Sequence, residues 1–506
     1  MAVDGKVARG RGALRTAATR SVLVSLLLLG AAAHAQPAVH PLPFTEPYVE
    51  AHYAFLREAV GARTLVQLAD PLRVSEEGAR ARLPLVRYLH EALGFDLLAL
   101  EGSPLDAWLA MELLYDPGGS AEARLARAQD LAWFAPYQTP GMRALLAYVQ
   151  GTQGTAHPLY LTSFDVQPGV ARAYLAGWPV FDALFAALAR YAPRPPEAVR
   201  WRVALEDLVA CRAKGFPDTA ASEREALEAI AGVERWIAAA QPSLRAARPA
   251  LHAAALARVP EALRARVELC SRDLASGERR EWTTYLAARD ALAARHALAL
   301  RALAPGGRVL LWTHQAQALP AAQAHGAPTF GALLQRAAPG QLYTVGLFVG
   351  EGRGLEVEGR AVPPFAERAL APAGEGSAEA LLARVTGGRS AFVDLRGLTA
   401  ASAPDFFRPL PSRSEVRGQA EVVLARDLGA ALYLPQVSAP RLLFASPRLQ
   451  AAIRAAGYAQ DHGRWLFPPL MLAVIALLVH RVRRRQRVPP EALRPRPPSP
   501  SGRGPA

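Results

Sequence analysis

Between Leu65 and Glu101 the chain reads LVQLADPLRVSEEGARARLPLVRYLHEALGFDLLALE, and few folds accept that order of signals. Leu65–Ala69 is a short apolar run that ends on Asp70. Arg80–Leu93 then carries Leu83, Val86, Leu89 and Leu93 at helical spacing. Gly94 can take the positive φ that closes a helix. Phe95–Leu100 is a second apolar run, ending on Glu101. Strand, helix and strand in this order predict a βαβ unit with parallel strands. In open parallel sheets the chemistry lies beyond the carboxyl ends of the strands, where both acids stand.

Three later runs repeat the arrangement. Pro158–Phe164 ends on Asp165, Arg308–Thr313 on His314, and Ala391–Val393 leads into Asp394 and Arg396. One acid behind an apolar run is an ordinary cap or turn residue; five runs ending in ionisable groups predict a shared cleft. The fold class expected is α/β, a mostly parallel sheet with helices on both faces and a large helical insertion over about 170–303. That stretch is rich in Ala, Leu, Arg and Glu, strong helix formers, and is divided by Pro217, Pro242, Pro249 and Pro260. It reads equally as a lid, a dimer surface or the padding of a long crossover. Leu342–Val349, Leu432–Leu434 and Leu442–Ala445 read as further strands. Pro37–Pro43, Glu351–Pro364 and Gly397–Ala420 read as loops.

Both ends carry topology. Lys6, Arg9, Arg11, Arg15 and Arg20 precede apolar Val22–Leu29 and then Ala33-His34-Ala35, the order of a secretory signal peptide over 1–35. Trp465–Val479 is a second apolar run, followed by Arg481, Arg483, Arg484, Arg485 and Arg487. An aromatic on one side and a basic cluster on the other predict a transmembrane helix at 465–482. Residues 483–506, rich in Pro and Arg, predict a disordered cytoplasmic tail. The expectation is an exported, membrane-anchored protein with its main domain, 36–460, in the bacterial periplasm or at the cell surface. The two basic ends supply +11 of the formal net charge of +14. The excess is therefore topology and gives no nucleic-acid footprint.

Cys211 and Cys270 are the two cysteines. An oxidising compartment permits a disulfide between them; two separate buried thiols fit as well. Neither has metal-ligand spacing. No phosphate-binding glycine loop follows a strand, and G-x-S-x-G and H-E-x-x-H are absent, so no cofactor is expected. A metal held by Asp70, Glu101, Asp165 and His314 is a minor alternative.

The opening stretch resembles the first motif of the erythromycin esterase family, a strand into G-E-x-x-H-G, a helix with an arginine, then G-F and a strand ending in an acid. Ala69-Asp70 stand where Gly-Glu belongs, Arg73 where the histidine belongs, and Val74 where the second glycine belongs. Arg82 matches the helix arginine, Gly94-Phe95 the G-F pair, and Glu101 the closing acid. Trp312-Thr313-His314-Gln315-Ala316-Gln317 is similar to the family's W-x-H-N-x-H, with Gln317 in place of the second histidine. Phe164–Gln167, Arg289-Asp290, Tyr343–Gly352 and Val393–Arg396 continue the likeness, which spans about Thr45 to Ser446.

The resemblance implies hydrolysis of a small-molecule ester or lactone, and a response to antibiotic. Such hydrolysis needs a base for water and positive charge for the oxyanion. In the family the histidine after G-E serves as base. A guanidinium at Arg73 cannot, so His314 becomes the candidate base, oriented by Asp70 or Glu101. Arg82 and Arg73 are candidates for the oxyanion, and Asp165, Gln317 and Arg396 for substrate. The alternative is a catalytically inactive relative: Arg73 pairs with Asp70, His314 is a core histidine, and the cleft binds a ligand or a protein. His90, on the apolar stripe, reads as packed.

Overall fold

The structure, a computed structural model, describes residues 36–43, 48–71, 75–132, 138–166, 180–214, 219–273, 279–319, 327–357, 365–412 and 420–443. The expected signal peptide, transmembrane helix and tail, and Arg73, lie outside the described residues. Among the described residues no helix is long and apolar enough to cross a membrane.

The strands are β1 (Ala38–Pro41), β2 (Leu65–Asp70), β3 (Leu97–Leu100), β4 (Tyr160–Ser163), β5 (Val309–His314), β6 (Leu342–Val357), β7 (Phe365–Leu370), β8 (Ala391–Asp394), β9 (Leu410–Ser412), β10 (Ala420–Val422) and β11 (Ala430–Val437). Nine form one sheet in the order β1-β8-β11-β6-β2-β5-β3-β4, with β7 on β6, and β9 and β10 pair separately. From β11 to β4 six consecutive strands are parallel. Their residues are buried on both faces, which is why they read as unbroken apolar runs rather than alternating ones. Along β11 the alternation still sorts the side chains. Ala430, Leu432 and Leu434 join the large core, while Ala431 and Tyr433 join a second core under the Ala378–Thr386 helix.

The β2 and β3 strands are parallel, as expected, and β5 lies between them. Several expectations need correction. Ala38–Pro41 is a strand, not a loop, and pairs antiparallel with β8. Part of the loop expected after Glu351 is the outer half of β6, which pairs with β7. Gly352 faces Val437 of β11 and Leu370 of β7, so β7 continues the β2 side of β6 beyond Asp70. A Cβ at Gly352 would meet the Val437 carbonyl, and its φ is +123°, a conformation left to glycine. Leu442 and Leu443 are not strand.

The insertion is helical, as read. It comprises Val180–Leu188, Ala198–Lys214, Thr219–Ala247, Ala250–Ala257, Val259–Asp273 and Arg279–Leu300. Pro242 lies inside a helix instead of ending one. Cys270 is fully buried and disulfide-bonded; the Cys211 side chain lies outside the described residues. Glu112, on the buried Pro104–Leu114 helix, ties the insertion to the sheet. It accepts from Arg190 at 2.8 Å, Tyr191 at 2.5 Å, Arg248 at 3.0 Å and His252 Nε2 at 2.8 Å. The other ring nitrogen of His252 meets the Tyr160 hydroxyl of β4 at 2.9 Å, and the ring stacks on Trp108. Burial opposes ionisation of Glu112, but its donors prevail and hold it down at about 2.

Candidate active site

Parallel strands bring Asp70, Glu101, Asp165 and His314 to one edge of the sheet. Asp70 and His314 are register partners at the ends of β2 and β5. Glu101 directly follows β3, and its backbone N–H donates to the Trp312 carbonyl at 3.0 Å. Asp165 follows β4, and its backbone N–H donates to the Gly102 carbonyl at 2.8 Å. These turns fix the acids to the backbone of neighbouring strands.

Each acid is already engaged. Asp70 is ion-paired with Arg82 of the Glu76–Glu91 helix and accepts from the Trp312 indole at 2.8 Å. The Arg82 guanidinium stands 4.4 Å from the Trp312 ring centre, a cation–π contact in a buried setting. Arg289, on the Arg279–Leu300 helix, spans the other two acids. Its Nη2 is 2.7 Å from Glu101 Oε1 and 2.5 Å from Asp165 Oδ2, and its Nε is 3.0 Å from Asp165 Oδ2. Burial works against the Asp165 charge, yet Arg289 holds this carboxyl below its usual range. Burial pushes Glu101 up against the same guanidinium. The second Glu101 oxygen accepts the His314 backbone N–H at 3.0 Å.

The His314 ring is different. Its Nε2 is buried with no hydrogen-bond partner among the described residues, where buried ring nitrogens are ordinarily satisfied. Burial, and then the Arg289 charge, lower its pKa to about 3, so the imidazole is neutral at any ordinary pH. Neither Asp70 nor Glu101 is bonded to this ring, contrary to the expected orienting role. Gln317, one turn further on, donates to Asp290 Oδ1 at 3.3 Å, and Asp290 Oδ2 accepts the Phe330 N–H at 3.1 Å.

Arg396 is not at this edge. Because β8 runs antiparallel to β11, Asp394 and Arg396 stand at the amino end of the parallel strands. There Arg396 bonds Asp394 at 2.6 Å and reaches the Glu58 carbonyl at 2.6 Å. The apolar run looked like the others because a sequence run carries no direction within a sheet. Arg289 and Trp312 hold the acids and Asp290 bonds Gln317, yet sequence reading gave them no role. The Arg289-Asp290 pair was visible only as a similar fragment, inside a helix with no strand to mark its end. His90 is packed as read, bonded to Tyr148 at 2.7 Å and the His157 carbonyl at 3.0 Å. Among the described residues no group of three or more His, Cys, Asp or Glu is placed to hold a metal ion; the carboxylates are bonded to arginine instead.

The erythromycin esterase family model matches residues 90–436. This chain belongs to the erythromycin esterase family. The matched residues include Glu101, Asp165, Arg289, His314 and Gln317, and begin after Asp70 and Arg82. The chain is 28% identical over 116 residues to YbfO of Bacillus subtilis strain 168, which is described as a hydrolase. That match spans 22% of this chain and 24%, about a quarter, of the relative's length. Solved structures share the fold. A Bacillus cereus protein superposes with a TM-score of 0.61 at 12% identity, covering 80% of this chain and 97% of its own. A succinoglycan biosynthesis protein gives 0.58 at 14%, covering 80% and 96%. A histidine-to-asparagine variant of the erythromycin esterase EreC, in its open conformation, gives 0.54 at 17%, covering 78% and 96%.

Proposed function

We propose that this chain hydrolyses a small-molecule ester or lactone with water activated by His314. The observation that carries the reading is the buried Nε2 of a neutral imidazole at the end of β5, which has no hydrogen-bond partner among the described residues. A base must be unprotonated and must keep its lone pair free until water binds. The packed His90, by contrast, has both ring nitrogens bonded. Arg82 and Arg289 surround the site with fixed positive charge, which favours a developing oxyanion. A base this weakly basic implies slow turnover, since proton transfer is most efficient when the pKa lies near the working pH.

A second reading is a binding protein at the envelope without catalysis. It is favoured by the engagement of all three strand-end acids with Arg82, Trp312 and Arg289.

The test is turnover of a panel of alkyl esters, aryl esters and macrolactones by the purified full-length chain, beside His314→Ala. We expect a loss of about 10²–10⁴-fold in the variant, the range for a general base. A His314 pKa lowered from 6.5 keeps the base form as the solution is acidified. The rate should therefore not fall between pH 7 and pH 5. Turnover equal in the variant removes His314 as the base, and no turnover in either protein leaves the binding reading.

A further inference from the structure

Of the four carboxyl groups gathered around His314 and Arg289, only Asp290 has no arginine bonded to it among the described contacts. Its partners are two neutral N–H donors, the Gln317 amide at 3.3 Å and the Phe330 backbone at 3.1 Å. The side chain is buried, with the residue 8% exposed. Gln317 is three residues beyond His314, and His314 is the N-cap of the short Gln315–Ala318 helix. Asp290 is thereby tied to the short turn that begins at His314.

The two contacts differ in kind. The shorter one fixes Oδ2 as an acceptor at the first turn of the Phe330–Ala337 helix. The longer one, to Oδ1, is compatible with a hydroxyl oxygen that accepts weakly and keeps its own hydrogen to give away. Charged neighbours reach the group from every side. Arg289 precedes it on the same helix, Glu101 comes from the end of β3, and Asp165 from the end of β4. Burial, opposed by Arg289 and the Phe330 N–H and reinforced by the two acids, raises Asp290 to about 7. Asp165, clamped by the same arginine, moves the other way. Two neighbouring carboxyl groups thus differ in charge at neutral pH, as an acid and a fixed anion must.

We propose that Asp290 is a further catalytic residue, the acid that protonates the departing alcohol. The inference rests on the hydrolase reading. Water adds to the ester carbonyl as His314 Nε2 takes its proton. The tetrahedral intermediate then breaks its C–O bond, the alkoxide receives the proton of Asp290 Oδ1, and the acid product leaves. Exchange of a proton from the His314 imidazolium to the Asp290 carboxylate, through solvent, restores both groups, so atoms and charge balance.

The experiment compares leaving groups. An alkyl ester needs its leaving oxygen protonated, whereas a p-nitrophenyl ester departs as a stable anion. Asp290→Asn keeps the shape and an oxygen for the Phe330 N–H. We expect it to lower kcat for an ethyl ester by about 10²–10³-fold while p-nitrophenyl acetate loses less than about fivefold. The wild-type rate on the ethyl ester should fall as pH rises through 7, and the rate on the aryl ester should not. Equal losses on both esters, or no loss on either, overturn the role of Asp290 while His314-dependent turnover stands. Turnover absent from the wild type on every ester overturns the hydrolase reading itself, and the role of Asp290 with it.

Discussion

Arg289 shows how one side chain can set the state of a whole site. It is the shared counter-ion of Glu101 and Asp165, and its guanidinium geometry allows it to bond both at once. Removing it would leave two acids facing each other with no cation between them. Arg289→Met should therefore cost about 3–5 kcal/mol, the range for breaking a buried pair by deleting one partner. Arg289→Lys should recover only part of this, because an ammonium is a point charge without the fork. Urea unfolding monitored by tryptophan fluorescence measures both. Equal stability of wild type and Arg289→Met would show that the clamp does not hold in solution. The single residues were the hardest part to read from the sequence. Asp70, Glu101, Asp165 and His314 were found because each ends an apolar strand. Arg289 and Asp290 were not given roles, because nothing local distinguishes them from other helix charges.

At the scale of elements, the helical insertion is held by polar groups in addition to its apolar faces. Glu112 gathers donors from Arg190, Tyr191, Arg248 and His252, and His252 passes the contact on to Tyr160. A folded-state pKa lowered to about 2 from 4.5 stabilises the protein above pH 4.5. That contribution is lost as pH falls from 4.5 toward 2. Glu112→Gln should therefore be less stable than wild type at pH 7, by about 3–5 kcal/mol for an interrupted buried network, and the difference should shrink on acidification through this window. Thermal unfolding at pH 7 and at pH 3 checks the sign. A difference that stays constant would mean that Glu112 is not ionised in the fold. Element types were legible here. The Pro104–Leu114 helix begins where Ser103 and Pro104 announce it. Pro242 misled, because a proline was tolerated inside the Thr219–Ala247 helix.

For the whole molecule, Cys270 on the Val259–Asp273 helix is tied by a disulfide. Reduction should lower stability by about 2–4 kcal/mol, seen as a lower melting temperature in dithiothreitol. An unchanged melting temperature would show that packing alone suffices. The α/β class was legible because parallel, doubly covered strands are continuous apolar runs. Strand order and direction were not, since they depend on partners far away in the chain. That is why β8 was read as parallel and Arg396 placed in the cleft.

The place of β5 has a consequence for how the chain is made. It fills the gap between β2 and β3, yet Val309 follows Asp70 by 239 residues. At a synthesis rate of about 5–20 residues per second, roughly 12–48 s separate the two on the ribosome. Throughout that interval β2 and β3 each present an open edge with no native partner. The gap is closed from within the sheet, and the strand that closes it is the one that carries His314. A nascent chain therefore lacks both the strand that joins β2 to β3 and its proposed base until most of it has been synthesised.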